Sequence, residues 1–159
     1  MFMKLDKRLI HFNKSSRKGV RISYIVVHDT GNPSKGADAL AHFRYFGGGN
    51  RKASAHYFVD DKGVVQIIED ADAAWHCGDG RGRYGITNGN SIGVELCINE
   101  GNDRRATLAF ARELIRELMA FYGIPKAHVV RHYDASRKRC PGSMAANNWG
   151  EWWGFWESL

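Results

Sequence analysis

The apolar positions of the chain fall into short β-branched segments and one long helical stripe. Residues 21–28 are β-branched and aromatic, which favours a buried strand. Residues 104–122 place apolar side chains at helical spacing, and Gly123 and Pro125 then end the helix. The other predicted elements are helices at 37–46 and 143–156 and strands at 54–59, 64–69, 92–98 and 127–131. This mixture predicts an α/β fold, with a central mixed twisted sheet flanked by helices in a single domain.

Turn-forming residues separate these elements. Residues 29–36 and the glycine run at 47–49 are turn or stop signals, and residues 60–63 predict a hairpin turn. Residues 79–90 carry four glycines among polar side chains, which predicts a long loop. Long loops within small domains are often functional.

Length and composition fit a globular protein with one hydrophobic core. The chain has 159 residues, of which 43% are hydrophobic and 25% charged. No apolar run approaches the roughly 20 residues that span a bilayer, so no membrane association is expected. Residues 1–6 lack the pattern of a signal peptide, which predicts synthesis and folding in the cytoplasm.

The net charge of +6 suits an anionic partner, either nucleic acid or an anionic polymer such as a bacterial wall. Basic residues are densest between 4 and 21, so residues 1–20 are predicted to form a basic N-terminal arm that precedes the domain. A solvated surface is the alternative explanation of these charges.

The three cysteines make a poor disulfide framework, because their number is odd. Cys77 and Cys97 are expected to be buried thiols, and a bridge between them in an oxidising medium is the alternative. Cys140 is different, because its spacing from two histidines suggests a metal site.

Three soft metal ligands follow predicted strands or loops. His28 ends the first strong strand, His132 follows the strand at 127–131, and Cys140 returns after a loop at 133–139. Side chains at strand ends meet at one edge of a sheet. Three protein ligands leave the fourth tetrahedral position of zinc open, as in catalytic sites. Alternatively, His28 is a structural residue whose ring nitrogens are hydrogen-bonded, and Cys140 is a buried thiol.

Five short motifs occur in a fixed order along the chain. They are His28-Asp29-Thr30, Ser54-Ala55-His56-Tyr57, Ala74-Trp75-His76-Cys77-Gly78, Ser91-Ile92-Gly93-Val94-Glu95, and His132-Tyr133-Asp134 continuing to Lys138-Arg139-Cys140-Pro141. This set resembles the zinc-dependent N-acetylmuramoyl-L-alanine amidase type 2 family, which includes phage endolysin catalytic domains and resembles peptidoglycan recognition proteins. The resemblance covers residues 20–156 and assigns residues 21–159 to the amidase domain.

The resemblance implies His28, His132 and Cys140 as ligands of Zn²⁺. It also implies hydrolysis of the amide between N-acetylmuramic acid and L-alanine in bacterial peptidoglycan, as in an endolysin or autolysin acting on the cell wall. The expected partners are peptidoglycan and possible anionic wall polymers, with no nucleic acid, and a monomer is expected.

The resemblance further implies catalytic roles for three residues. Glu95 would be the general base, which takes a proton from the attacking water and later gives it to the leaving amine; an exposed or ion-paired Glu is the alternative. Lys138 would stabilise the oxyanion, unless it is a solvated loop residue. His56 would assist near the metal or serve as a structural strand residue. Many family members carry a catalytic Tyr where this chain has Ala55, which excludes a tyrosine role there.

The resemblance also points to a substrate cleft. Trp75 and His76 match the cleft motif, and the loop at 79–90 contributes Asp79, Arg83 and Asn90 as predicted substrate-binding residues.

Asp29 and Thr30 directly follow the predicted ligand His28. One of them would orient a ligand histidine through a hydrogen bond, and a role in the turn is the alternative.

Two other functional classes compete with the amidase. One is a recognition domain that binds muropeptides without cutting them; such relatives typically lack the Cys ligand, so the presence of Cys140 counts against it. The other is a basic nuclease, which would place basic residues among exposed aromatic side chains along one face. The tryptophans cluster near the C-terminus instead, so the nuclease ranks last.

Overall fold

The computed structural model describes residues 4–159, so the predictions for residues 1–3 lie outside the described part. The strands are β1 Leu5–Lys7, β2 Lys14–Ser16, β3 Tyr24–Asp29, β4 Tyr57–Asp60, β5 Gly63–Gln66, β6 Asp72–Ala74, β7 Ser91–Leu96 and β8 Val129–Arg131. The α-helices are α1 Ala39–Gly47, α2 Arg104–Tyr122, α3 His132–Ser136 and α4 Ala146–Glu157. Short 3₁₀ turns lie at Gly78–Gly80, Lys126–His128 and Gly142–Met144.

The main sheet is mixed, which confirms the predicted architecture. Its six strands run in the order β1-β5-β4-β7-β3-β8. β3 lies parallel to both β7 and β8, and β4 lies parallel to β7, whereas β4 and β5 form an antiparallel hairpin. The centre of the sheet is therefore parallel, so the ends of β3, β7 and β8 lie at one edge.

Helices cover both faces of the sheet. Ile25 and Val27 of β3 pack into a cluster with α2 and α4, whereas Val26 faces the opposite side. Because side chains alternate along a strand, His28 lies on the same side as Val26, away from α2. A second cluster on this side packs against α1. The position of His28 thus follows from the burial of its apolar neighbours.

The bounds of α2 agree with the predicted helix at 104–122. Its first turn is capped by the carboxylate of Asp103, which accepts a hydrogen bond from the Ala106 N–H at 3.2 Å. Gly123 closes the helix in the left-handed conformation, with φ of 65°. These caps are local signals, which explains why the sequence pattern located this helix so closely.

The predicted loop at 133–139 is wrong over its first part, because residues 132–136 form α3. The carboxylate of Asp134 accepts hydrogen bonds from the Arg131 backbone N–H at 2.9 Å and from its guanidinium at 2.7 and 2.9 Å. These hydrogen bonds between Asp134 and Arg131 stabilise the first turn of α3. His132 is consequently held on a rigid turn and not on a flexible loop.

The basic segment 4–20 is packed into the fold. β1 pairs with β5 at the edge of the main sheet, and β2 pairs with β6 in a separate two-stranded sheet. Arg17 is only 7% exposed, and its guanidinium donates to the carbonyl oxygens of Asp70 and Gly89, each at 2.7 Å. A further guanidinium nitrogen lies 3.0 Å from His56 Nε2. Arg17 therefore connects the arm to two loops and to the sheet.

We expect Arg17→Gln to lower the free energy of unfolding by about 2–4 kcal/mol, because it leaves buried carbonyl groups without donors. Urea unfolding measures this loss. Arg8→Gln is the matched control: the Arg8 guanidinium forms an exposed ion pair with Asp6 at 2.7 Å, and its removal should change stability by less than about 1 kcal/mol. Equal effects of the two substitutions would contradict the role of Arg17.

Three further observations concern the other sequence expectations. All three cysteines are free and buried. No helix in residues 4–159 has the length and apolar character needed to cross a membrane. The predicted helix at 143–156 is interrupted, because Asn147, Asn148 and Trp149 have left-handed backbone conformations.

Candidate metal centre and cleft

Three parallel strands carry the predicted ligands and base to one edge of the sheet. His28 near the end of β3 is in register with Glu95 of β7, and Val27 is in register with Arg131 of β8. His132 therefore emerges beside His28. Cys140 is drawn back to the same place, because its carbonyl oxygen accepts a hydrogen bond from the Tyr133 N–H at 3.0 Å.

The side chains of His28, His132 and Cys140 form one buried cluster. The two Nδ1 atoms lie 3.1 Å apart, and the Cys140 sulfur lies 3.8 Å from His28 Nδ1. One ligand atom from each residue fits within a span of 4.8 Å. The side chains are 2%, 4% and 7% exposed, respectively. Two imidazole nitrogens and one sulfur form a donor set that suits zinc.

The outer nitrogen of each ligand histidine has its own partner. His28 Nε2 lies 3.0 Å from His76 Nδ1, and His132 Nε2 lies 2.7 Å from an Asp79 carboxylate oxygen. His76 in turn lies 3.0 Å from the Ser91 hydroxyl. Such partners orient the imidazole rings of metal ligands. This arrangement leaves Nδ1 of both ligand histidines directed at Cys140.

The ionisation of these groups follows from their burial. Burial lowers the pKa of His28 well below its ordinary value, and neighbouring histidines lower it further. Burial also lowers the pKa of His132, although Asp79 opposes this shift. Both rings are therefore neutral near pH 7, which is the form that binds a metal ion. Burial and the nearby Glu95 raise the pKa of the Cys140 thiol to about 12, so thiolate formation there requires a compensating positive charge.

Glu95 supports the fit of a cation at this cluster. Its Oε2 atom is buried and has no hydrogen-bond partner within residues 4–159. Burial, together with the negative charge of Asp29, raises its pKa to about 8, while Lys138 opposes the shift. Although Glu95 as a whole is only half-buried, a buried carboxylate oxygen without a partner is unfavourable. The residues present thus fit a zinc ion with an unshared carboxylate beside it.

The raised pKa of Glu95 predicts a pH-dependent stability in the metal-free protein. Between pH 4.5 and about 8 the folded carboxyl holds a proton that the unfolded chain releases, so stability falls as pH rises through this window. Glu95→Gln removes this titration. We expect the free energy of unfolding of Glu95→Gln, relative to that of the unsubstituted protein, to be about 3–4 kcal/mol higher at pH 8 than at pH 5. Urea unfolding with a chelator present measures both values, and a gain that does not change with pH would contradict the prediction.

A polar cleft of about 320 Å³ opens beside the cluster. The residues that line it include His132, Lys138, Asp79, His76, Trp75, Lys52 and Asn88. Lys138 is exposed. A larger cavity of about 500 Å³ lies between β1 and α2 and contains none of the predicted ligands. The chemistry therefore belongs to the smaller cleft.

The five predicted substrate-binding residues have different surroundings. His76 and Asp79 line the cleft but also contact the ligand histidines, and Trp75 forms a half-buried wall. Arg83 is exposed on the loop at 79–90 and does not line the cleft. Asn90 uses its side chain within that loop, donating to the Gly85 carbonyl at 2.8 Å and accepting from the Thr87 N–H at 2.9 Å. A substrate contact by Arg83 or Asn90 stays a prediction.

His56 is surrounded by structural partners. Its Nδ1 accepts a hydrogen bond from the Gly93 N–H at 3.0 Å, and its Nε2 lies 3.0 Å from both the Asp72 carbonyl and Arg17. Burial lowers its pKa to about 3, so the ring stays neutral at physiological pH. Both ring nitrogens of His56 thus have partners other than His28, His132 and Cys140. These contacts favour the structural alternative for His56.

Asp29 also has structural partners. Its carboxylate accepts hydrogen bonds from the backbone N–H groups of Gly31 at 3.1 Å and Ser143 at 2.6 Å, which ties the turn after β3 to the segment before α4. Thr30 Oγ1 is buried and has no partner in the described chain. Neither side chain orients a ligand histidine, so the turn interpretation of Asp29 fits the contacts.

Several residues that build the site were missed by the sequence analysis. Asn88 accepts hydrogen bonds from the backbone N–H groups of His76 and Cys77, at 3.0 and 2.9 Å, and so fixes the cleft wall. A Cβ at Gly93 would lie 2.7 Å from the His76 ring, so only glycine leaves room for it. The glycine within an otherwise apolar strand was the one available signal, since such glycines often mark a close approach.

Comparisons with known proteins agree with this geometry. The family model described as N-acetylmuramoyl-L-alanine amidase matches residues 18–143. The N-acetylmuramoyl-L-alanine amidase CwlH of Bacillus subtilis strain 168 is 37% identical over 142 residues, which are 88% of this chain and 56% of CwlH. XlyA of the same strain is 42% identical over 121 residues, which are 76% of this chain and 40% of XlyA. The chain thus spans about half the length of these curated relatives.

Solved structures show the same fold. The catalytic domain of XlyA superposes with a TM-score of 0.87 and 34% identity, covering 98% of this chain and 99% of that domain. A mutant endolysin from Bacillus subtilis also gives a TM-score of 0.87 and 34% identity, covering 99% of both chains. The similarity extends over nearly the whole chain, including β3 and β8, which position His28 and His132.

Proposed function

Because this chain belongs to the N-acetylmuramoyl-L-alanine amidase family, we propose that it is a zinc-dependent hydrolase of bacterial peptidoglycan. The bond cleaved is the amide between the lactyl group of N-acetylmuramic acid and L-alanine. The observation that supports this most is the convergence of His28, His132 and Cys140 beside Glu95, whose Oε2 atom is buried without a hydrogen-bond partner among residues 4–159. The setting is wall lysis by an endolysin or autolysin that acts outside the cytoplasm.

In this proposal each residue has one task. His28, His132 and Cys140 hold the zinc, which when bound lowers the pKa of water and polarises the substrate carbonyl. Glu95 takes the proton of the attacking water and passes it to the leaving amine, a role that contributes about 10²–10⁴-fold. Lys138 borders the cleft next to His132, where its ammonium would stabilise the negative charge that develops on the carbonyl oxygen.

The outer partners give the ligands a fixed geometry. His76 and Asp79 hold His28 and His132 through the nitrogens that face away from the cluster. The cleft lined by Trp75 would receive the muramoyl peptide. The net charge of +6 would favour approach to anionic wall polymers, and we propose that the protein acts as a monomer.

Cleavage products test the proposed reaction. Purified protein is incubated with bacterial cell walls, with and without a chelator, and new amino groups and reducing sugars are quantified. We expect new N-terminal alanine only without chelator and no new reducing ends. Release of reducing sugar would identify a glycosidase instead, and binding to walls without any cleavage would identify a recognition domain.

A further inference from the structure

The cleft beside His28, His132 and Cys140 is lined by a second lysine in addition to Lys138. Lys52 lines the same cleft as Lys138 and Trp75. Within residues 4–159, neither lysine has a carboxylate within 4 Å. The one acidic side chain that lines the cleft, Asp79, is engaged by His132 at 2.7 Å. Two lysines therefore line the cleft with one carboxylate, and the ammonium of Lys52 has no ion-pair partner within residues 4–159.

The backbone at Lys52 is held in an uncommon conformation. Its φ is 58°, in the left-handed region that residues with a Cβ adopt rarely. Its N–H donates to the Asn13 side-chain oxygen at 3.2 Å and to the Asn50 side-chain oxygen at 3.0 Å. Such conformations persist where surrounding contacts impose them, and they are concentrated at functional sites.

The buried side chain of Asn13 fixes the segment that contains Lys52 through hydrogen bonds. Asn13 is 4% exposed, and every polar atom of its side chain is used. The amide nitrogen donates to the carbonyl oxygens of Phe46 and Gly49, both at 2.9 Å, and the amide oxygen also accepts from the Arg51 N–H at 2.7 Å. The loop that carries Lys52 is consequently anchored to the buried side chain of Asn13 by four hydrogen bonds.

The same segment anchors the neighbouring wall of the cleft. The Ser54 hydroxyl donates to the Asn13 carbonyl at 2.6 Å and accepts from the Trp75 N–H at 2.9 Å. The Trp75 indole donates to the Ser15 hydroxyl at 3.1 Å. The backbone N–H groups of Lys52 and Trp75 are thus held by one hydrogen-bonded unit, so the two residues line the same cleft from anchored positions.

We propose that Lys52 binds a carboxylate of the peptide part of the substrate and so determines which peptides the enzyme prefers. This inference rests on the proposed function, because the peptide beyond the cleaved amide supplies the carboxylate. Lys138 is assigned to the carbonyl that is attacked. Lys52 is instead linked through Asn13 and Ser54 to Trp75, along which the peptide part of the substrate would bind. An ammonium that lacks an intramolecular partner gains a charge-assisted hydrogen bond only when the substrate binds.

Two soluble substrates test this proposal. One is a muramoyl tetrapeptide, and the other is the same compound with its carboxylates converted to carboxamides. We expect the unsubstituted protein to have an about tenfold lower KM for the carboxylate form, with similar kcat. Lys52→Gln should raise KM about tenfold for the carboxylate form only, and Lys52→Arg should retain the preference.

Lys18→Gln is the matched control, because Lys18 is also an exposed lysine in the left-handed conformation, with φ of 52°, but does not line the cleft. It should leave both KM values unchanged. An equal effect of Lys52→Gln on both substrates, or none on either, overturns the proposal. If the unsubstituted protein cleaves neither compound, the proposed function fails, and calorimetric binding of the two compounds then decides the role of Lys52: equal affinities overturn it.

Discussion

We expect Glu95→Gln to lower kcat for wall hydrolysis by about 10²–10⁴-fold and to leave the bound zinc at one per chain. Gln keeps the size and polarity of the side chain but cannot accept the proton of the attacking water. Glu95 lies in register with His28, and its Oε2 atom has no partner in the described residues, so its loss should leave the ligand cluster intact. Rates of N-terminal alanine release, together with zinc content after gel filtration, measure both parts of the expectation.

Glu100→Gln is the control for Glu95, because Glu100 is an exposed carboxylate just beyond the same strand. It should retain full activity. Near-normal activity of Glu95→Gln would show that the base is elsewhere, and His56 would be the next residue to test. Loss of both activity and zinc would instead show that Glu95 acts mainly on the metal site.

Cys140→Ala is expected to weaken zinc binding by more than about 100-fold and to remove activity at equimolar zinc. Loss of a group that merely orients a ligand lowers affinity by about 10–100-fold, so loss of a ligand should do more. Without the thiolate, only His28 and His132 remain in the cluster. Competition with a metal-binding dye measures the affinity.

Cys97→Ala is the matched control for this substitution. Cys97 is also buried and free, but it packs in the apolar cluster beneath α1 and not among the ligands. We expect it to lower stability modestly, by about 1 kcal/mol, and to leave zinc affinity unchanged. Tight zinc binding and full activity in Cys140→Ala would exclude Cys140 as a ligand.

The convergence of His28, His132 and Cys140 was predictable because these residues follow regular elements or a short loop. An apolar strand ending in His28 and a short strand before His132 are strong local signals, and parallel strands bring their ends together. The family resemblance, which the comparisons confirm, then selected Cys140 and Glu95 from the candidates. The bounds of α2 were equally clear, because its caps lie within the sequence pattern itself.

The residues that hold the site in place could not be predicted from local sequence patterns. Asn13 and Arg17 lie in a basic segment that is indistinguishable from a solvated surface, yet both are buried and use their side chains fully. Their partners are carbonyl and amide groups of distant loops, which no periodicity reveals. His76 and Asp79 were predicted to bind substrate, but their contacts with His28 and His132 depend on the closure of the loop at 79–90 over the sheet.

Zinc titration of the metal-free protein tests the central claim most directly. Protein stripped with a chelator is supplied with increasing zinc, and the rate of N-terminal alanine release from cell walls is measured with the bound zinc. A single site formed by His28, His132 and Cys140 predicts a rate that rises with bound zinc and saturates at about one zinc per chain. Alanine release by the stripped protein at the fully loaded rate would contradict it.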